Sequence, residues 1–322
     1  MTSGTHSTSK LKKVARTIIK SSLALGSGES LTIVTDRSFS ELADALWRTA
    51  NRISKNIIEV SYSNKTSCTH KLPEAIYASL VHSNACVIVT PNYLDEAMFD
   101  KARQRGSRIV ILQNASESQL VRLCSGDLPQ ISNLSRKLAD LFSIGKRLQL
   151  TSPSGTDAEL LISRAKGIPE TGLAQHPGEL ASVPGGEAYV MTNGGVDGRL
   201  VVDRIAGVKK KLTKPIVINV SKGKITQIKG TRGAEDLRKS LRKFGQDGRK
   251  IKRLGVGTNT KVVLGNSALE DERLMATVHI TFGQDRVTQA HGKMLQAIKG
   301  LIFNPTLTQD GKLLLEDGKF VI

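Results

Sequence analysis

Five residues in the second half of the chain carry side chains suited to chemistry: Glu187, Arg253, His279, His291 and Lys293. Glu187 with His279 and His291 makes two imidazoles and one carboxylate, the residue types of mononuclear iron sites. Arg253 and Lys293 work against that use, because both repel a divalent ion and an arginine cannot give up its proton in a protein. The same two cations suit a carboxylate ligand through charge-assisted hydrogen bonds. Lys293 would act as a nucleophile or base only if burial beside Arg253 lowered its pKa. His279 also has a plain structural reading, a strand histidine satisfied by one neighbour. His176 and Glu179 could add ligands from a loop, although an exposed loop is the simpler place for them. These residues lie far apart in sequence, so the fold must bring them together.

The first half alternates helix and strand. Apolar residues at Leu11, Val14, Ala15, Ile18, Ile19 and Leu23 predict an amphipathic helix over residues 11–25, closed by Gly26. Strands are then expected over 31–35, 57–61, 85–90 and 108–113, with helices over 40–53, 73–82, 94–105, 116–123 and 134–142 between and after them. Such alternation predicts an α/β fold with a parallel sheet covered by helices, since parallel strands need crossovers. Gly26-Ser27-Gly28 precedes the first strand, whereas a dinucleotide fingerprint follows a strand and opens a helix. No nucleotide site is therefore expected. Strand ends at Thr35-Asp36-Arg37 and Thr90-Pro91-Asn92 are candidate cleft wall.

From residue 147 the pattern changes to short alternating runs parted by glycine, which predicts a C-terminal α+β domain with mostly antiparallel strands. Strands are expected over 148–151, 159–163, 196–202, 214–220, 224–228, 250–255 and 276–282, helices over 234–244 and 267–275, and a final hairpin across Asp310-Gly311. Residues 170–185, rich in Gly and Pro, read as a long loop that delivers Glu187. The expected organisation is a disordered tail over 1–9, an α/β domain over 10–146 and the α+β domain over 147–322.

The chain has 322 residues, room for two cores, and a formal net charge of +18 that permits an acidic partner without naming one. Basic clusters occur at 209–211 and 238–252, but only Phe244 is interleaved, so base stacking and nucleic-acid binding are not expected. Three cysteines, Cys68, Cys86 and Cys124, are too far apart for paired-thiol chemistry, and their odd number argues against a disulfide framework. No apolar run approaches the roughly 20 residues needed to span a bilayer. The tail lacks the order of a secretory signal, so a cytoplasmic location is expected.

A set of motifs in the second half resembles one family. These are Ser152-Pro153-Ser154-Gly155-Thr156-Asp157, Pro184-Gly185-Gly186-Glu187, Gly255-Val256-Gly257-Thr258-Asn259, Asp271-Glu272 before Thr277-Val278-His279-Ile280, then His291 and Phe303-Asn304-Pro305-Thr306. Their order is similar to that of the aminopeptidase T metallopeptidases and the related 2,5-dihydroxypyridine 5,6-dioxygenases. The resemblance implies that Glu187, His279 and His291 stand at metal-ligand positions. It also implies that Arg253 and Lys293 stand where two further carboxylates are usual. Replacing two carboxylates by two cations moves the formal charge by about four units, and each charge pair a few ångströms apart is worth about 4 kcal/mol at an effective dielectric near 20. That accounting predicts a site without a cofactor, in which Arg253, Lys293, Glu187, His279 and His291 bind a peptide or a small anion. Such a catalytically degenerate protein could present a peptide for modification in a biosynthetic pathway. The alternative is a mononuclear aminopeptidase or ring-cleaving dioxygenase holding one Fe, Zn or Co ion on Glu187, His279 and His291. By the same resemblance a homodimer is expected.

Overall fold

The structure, a computed structural model, describes every residue except 1–2, 63–71, 93, 95, 114–115, 266, 285–287, 291–292 and 296, and the backbone alone of 3–8, 288–290 and 293–295. It is a mixed α/β protein that divides into two compact units, Met1–Ser132 with Glu170–Gly185, and Asn133–Pro169 with Gly186–Ile322. The chain passes between the units more than once, and residue 146 lies inside the second.

The first unit is built on a parallel sheet. Its strands run in the order Ile57–Tyr62, Leu31–Asp36, Ala85–Thr90, Arg108–Gln113 and Leu180–Ser182. The two strands nearest its middle and far side, Ala85–Thr90 and Arg108–Gln113, are buried at every position, as expected of strands covered on both faces. Alternate residues serve different cores. Ile33, Val87, Val89, Val110 and Leu112 pack with Ile18, Ile19, Leu42 and Leu46, whereas Val34, Cys86, Ile88, Ile109 and Ile111 pack with Leu80 and Phe99. This is the period-two signature of a pleated strand.

Two expectations are corrected in this unit. The tail expected to be disordered is helical from Ser3, the helix running Ser3–Arg16 and continuing as a wider π-helical turn, Thr17–Ser22. The segment read as one long loop contributes Leu180–Ser182, which pairs with Ile109, Val110 and Ile111 as a fifth parallel strand. Three residues between glycines and prolines are too few to show a period. The Gly26-Ser27-Gly28 turn is closed by Glu29, whose carboxylate accepts from the Gly26 N–H at 2.7 Å and meets Arg108 at 2.5 Å. Cys86 and Cys124 are buried, and burial pushes both thiols up to about 12, which leaves them as inert packing.

The second unit holds an eight-stranded and a six-stranded sheet that share one hydrophobic core. The six-stranded sheet has the order Arg204–Ile205, Ile298–Ile302, Val278–Phe282, Ile251–Gly257, Glu187–Met191 and Gly167–Glu170. One face supplies Ala188, Val190, Leu254, Val256, Val278, Ile280, Phe282 and Ile302 to the core. The other face carries the polar residues that concern function. Among the described residues, no helix is long and apolar enough to cross a membrane.

Candidate functional site

Strand register explains why Glu187, Arg253 and His279 share a face. Arg253 pairs with Met191 on one side and Thr281 on the other, Gly255 with Tyr189 and His279, and Gly257 with Glu187. Thr281 in turn pairs with Lys299. Residues two apart on a strand share a face, so Glu187, Tyr189, Arg253, His279, Thr281 and Lys299 all lie on the side opposite the core. A bulge between Ile251 and Arg253 makes this arrangement possible. Ile251 belongs to the core, yet Arg253, two residues on, belongs to the polar face, and the extra residue reverses the alternation.

Gly255 makes room at the centre. A Cβ at that position would lie 2.3 Å from Cε1 and Nε2 of the His279 ring. Without one, the imidazole lies over the strand and its Nε2 meets Glu187 Oε2 at 2.8 Å, both side chains being buried. A second carboxylate comes from Glu272, in the turn after the short helix Ala268–Asp271. Backbone bonds from Asn259 N–H to Arg273 O and from Met275 N–H to Asn259 O hold that turn against the Gly255-Val256-Gly257-Thr258-Asn259 segment. Its neighbours are spent on loops: Glu270 accepts from the Val263 N–H, and Asp271 from the Gly207 and Gly265 N–H groups. Only Glu272 of the three faces the site.

The ligand atoms of Glu187, Glu272 and His279 all lie within 4.8 Å of one another. Three cations surround them. Arg253 Nη2 stands 3.8 Å from Glu187 Oε1 and 3.8 Å from Glu272 Oε2, Arg273 Nη1 bonds Glu272 Oε1 at 2.7 Å, and Lys299 pairs with Glu272. Arg253 is held in place by the Tyr189 ring, 4.1 Å from its guanidinium carbon, and by a 3.2 Å bond from its Nε to Thr281 Oγ1. Burial opposes ionisation of Glu187, but Arg253, the His279 hydrogen bond and Lys299 outweigh it and hold the carboxyl well below the usual range. Burial lowers the His279 pKa, the Glu187 carboxylate opposes it, and the Arg253 and Arg273 charges lower it further; the net shift is downward from an ordinary imidazole, so the ring is neutral near pH 7. A neutral ring that donates through Nε2 leaves a lone pair on Nδ1, and that buried atom has no hydrogen-bond partner among the described residues.

The sequence-derived candidates divide accordingly. Glu187, Arg253 and His279 are brought together; His291 lies outside the described residues, as does the side chain of Lys293, whose backbone belongs to the strand Lys293–Leu295. Glu179 accepts from the backbone N–H groups of Gln175 and His176, which makes it a turn residue of the first unit. Glu272, Arg273, Tyr189 and Lys299 were not singled out as site residues by sequence reasoning. The signal for Glu272 was present in the Asp271-Glu272 pair before the Thr277-Val278-His279 strand, but which acid of that pair faces inward depends on the turn.

Residues 19–298 match the model of the NicX family, 2,5-dihydroxypyridine 5,6-dioxygenase. No curated protein sequence matches. The fold is similar to that of 2,5-dihydroxypyridine dioxygenase from Pseudomonas putida KT2440, with TM-score 0.81 and 18% identity over 98% of this chain and 97% of that one. It is also similar to wild-type AmpT from Thermus thermophilus, with TM-score 0.66 and 15% identity over 98% and 99%. The expectation of a site without a cofactor is corrected by these findings. The matched family is one of metal-dependent dioxygenases, and Glu272, which the charge accounting omitted, restores a second carboxylate beside Glu187 and His279. The donor set, two carboxylates and a neutral imidazole converging within 4.8 Å, is of the kind that holds a divalent ion, although Arg253, Arg273 and Lys299 already offset the charge of the carboxylates. With the family model spanning most of its length, the chain belongs to the NicX family of 2,5-dihydroxypyridine 5,6-dioxygenase-like proteins.

Proposed function

We propose that this protein holds one metal ion through Glu187, Glu272 and His279 and acts there on a small anionic molecule. The observation that carries the reading is the convergence of those three buried ligand atoms within 4.8 Å. Iron or zinc in such a site supplies Lewis acidity and, for iron, redox capacity. The chain's own residues would do the rest. Glu187 stays ionised because of the cations around it, and His279 stays neutral because it is buried. Arg253 and Lys299 are the most exposed members of the group, with side chains 10% and 11% accessible against 2% and 3% for Glu187 and Glu272. A solute arriving from water therefore meets positive charge first, which favours a carboxylate or phenolate over a cation.

Elemental analysis of protein purified without chelator tests the metal, before and after anaerobic loading with Fe(II) or Zn(II). The expected result is near-stoichiometric metal that falls to background in Glu187→Gln and His279→Ala. Failure of the folded protein to take up either ion would refute the assignment. Titration with a small aromatic carboxylate tests the ligand class, and an unchanged Kd in Arg253→Ala would refute the role given to the cations.

A further inference from the structure

The basic cluster at 238–252 is not used by the site above. It borders a separate cavity of about 390 Å³ in the second unit. Its walls come from the strand Lys224–Lys229, at one end of the eight-stranded sheet, from the helix Arg232–Arg242, and from the 3-10 turn Gly245–Arg249. Ile225, Ile228 and Leu241 border it, Ile225 and Leu241 as the outer layer of the buried core, and Arg238, Arg242 and Arg249 are among the residues around it. Four consecutive residues of the strand, 225–228, border the cavity. A bulge at Asn219/Val220 leaves Thr226 as an extra residue and breaks the alternation, so Ile225 and Ile228 both face the core side of the strand. The outer edge of this strand is open: apart from a single bridge between Lys224 and Lys250, no described strand pairs with it on that side.

The charges are unequally committed. Arg238 donates to Ile228 O at 2.7 Å and so fixes helix to strand. Asp247, the acid of the 3-10 turn, is taken by Lys250 at 2.5 Å and by Gln284 at 3.1 Å. Arg242 and Arg249 make no ion pair or hydrogen bond among the described residues. Basic residues beside a sheet edge can serve simply to block strand pairing. That role needs no cavity and no apolar floor, and both are present here.

We propose that this cavity is a second binding site, for a small amphipathic anion whose apolar body lies on Ile225, Ile228 and Leu241 and whose acidic head is gripped by Arg242 and Arg249. Its size falls within the range of about 300–1,000 Å³ usual for small-molecule sites. Apolar burial and paired guanidinium groups are complementary requirements: a hydrocarbon alone leaves the arginines without a partner, and a bare inorganic anion leaves the floor wet. The site shares no lining residue with the Glu187, Glu272 and His279 group, so it does not depend on the metal assignment.

Isothermal titration of the full chain with octanoate, octyl phosphate, octylammonium and inorganic phosphate tests the proposal. Octanoate or octyl phosphate should bind one to one, and the tighter of the two names the head group. The double variant Arg242→Gln/Arg249→Gln should weaken that binding at least about tenfold. Both arginines are exposed, so the variant should keep its melting temperature. Equal binding of octylammonium, equal binding of inorganic phosphate, no binding of either amphipathic anion, or an affinity untouched by the double variant would each overturn it.

Discussion

Arg253 lies 3.8 Å from a carboxylate oxygen of both Glu187 and Glu272, so it supplies the positive charge that those carboxylates would otherwise take from a metal. Metal entry must work against this guanidinium, which cannot neutralise itself by losing a proton. Opposite charges at such separations interact by about 4 kcal/mol at an effective dielectric near 20, and solvent and reorganisation remove part of that. Arg253→Gln is therefore expected to tighten metal binding by at least about tenfold. Competition with a chromophoric chelator measures it directly, and equal affinity in the two proteins would show that Arg253 moves aside at no cost. Arg253 is legible in the sequence as a cation among candidate ligands, but the charge balance around it is not, because the compensating Glu272 stands on a turn. Strand positions obey a two-residue period that can be read along the chain; the direction of a turn side chain is set by the hydrogen bonds of Glu270 and Asp271 around it.

Among elements, the strand Ile251–Gly257 does most to arrange the site, through its bulge and through Gly255. Gly255→Ala would drive a methyl group into the His279 ring and is expected to destabilise the protein by about 1–3 kcal/mol, with loss of metal. Gly28→Ala is a fair control, since a Cβ there meets nothing within 4 Å. Urea denaturation of the two variants compares them; a Gly255→Ala protein as stable as the control would mean that the ring has another place to lie. The alternation of helices and strands in the first half was legible because buried parallel strands are continuous apolar runs. The strand Ile298–Ile302 was not, since its Gly300 interrupts the run where Val202 and Phe282 approach the backbone closely. The bulge was equally hidden, because one extra residue leaves no mark on composition.

For the whole molecule, the informative element is Leu180–Ser182, which completes the parallel sheet of the first unit from a segment that follows residues 133–169 of the second. A boundary drawn at 146 would separate Arg108–Gln113 from that partner strand. A fragment of residues 10–146 is expected to self-associate through the uncovered edge, whereas the full chain should not do so by that route. Size-exclusion chromatography of the fragment across a concentration series tests this, and a monomeric, cooperatively melting fragment would rule it out. On the ribosome the same arrangement imposes a delay. The chain is made at about 5–20 residues per second, so the Arg108–Gln113 edge waits roughly 3–13 seconds for its partner to be synthesised. During that interval the nascent protein displays an apolar strand with unsatisfied backbone groups, the kind of target that chaperones bind and that neighbouring nascent chains can pair with. Slow codons between positions 113 and 180 would lengthen the exposure, and its effect would be read in yield of soluble protein while the finished molecule remained chemically identical.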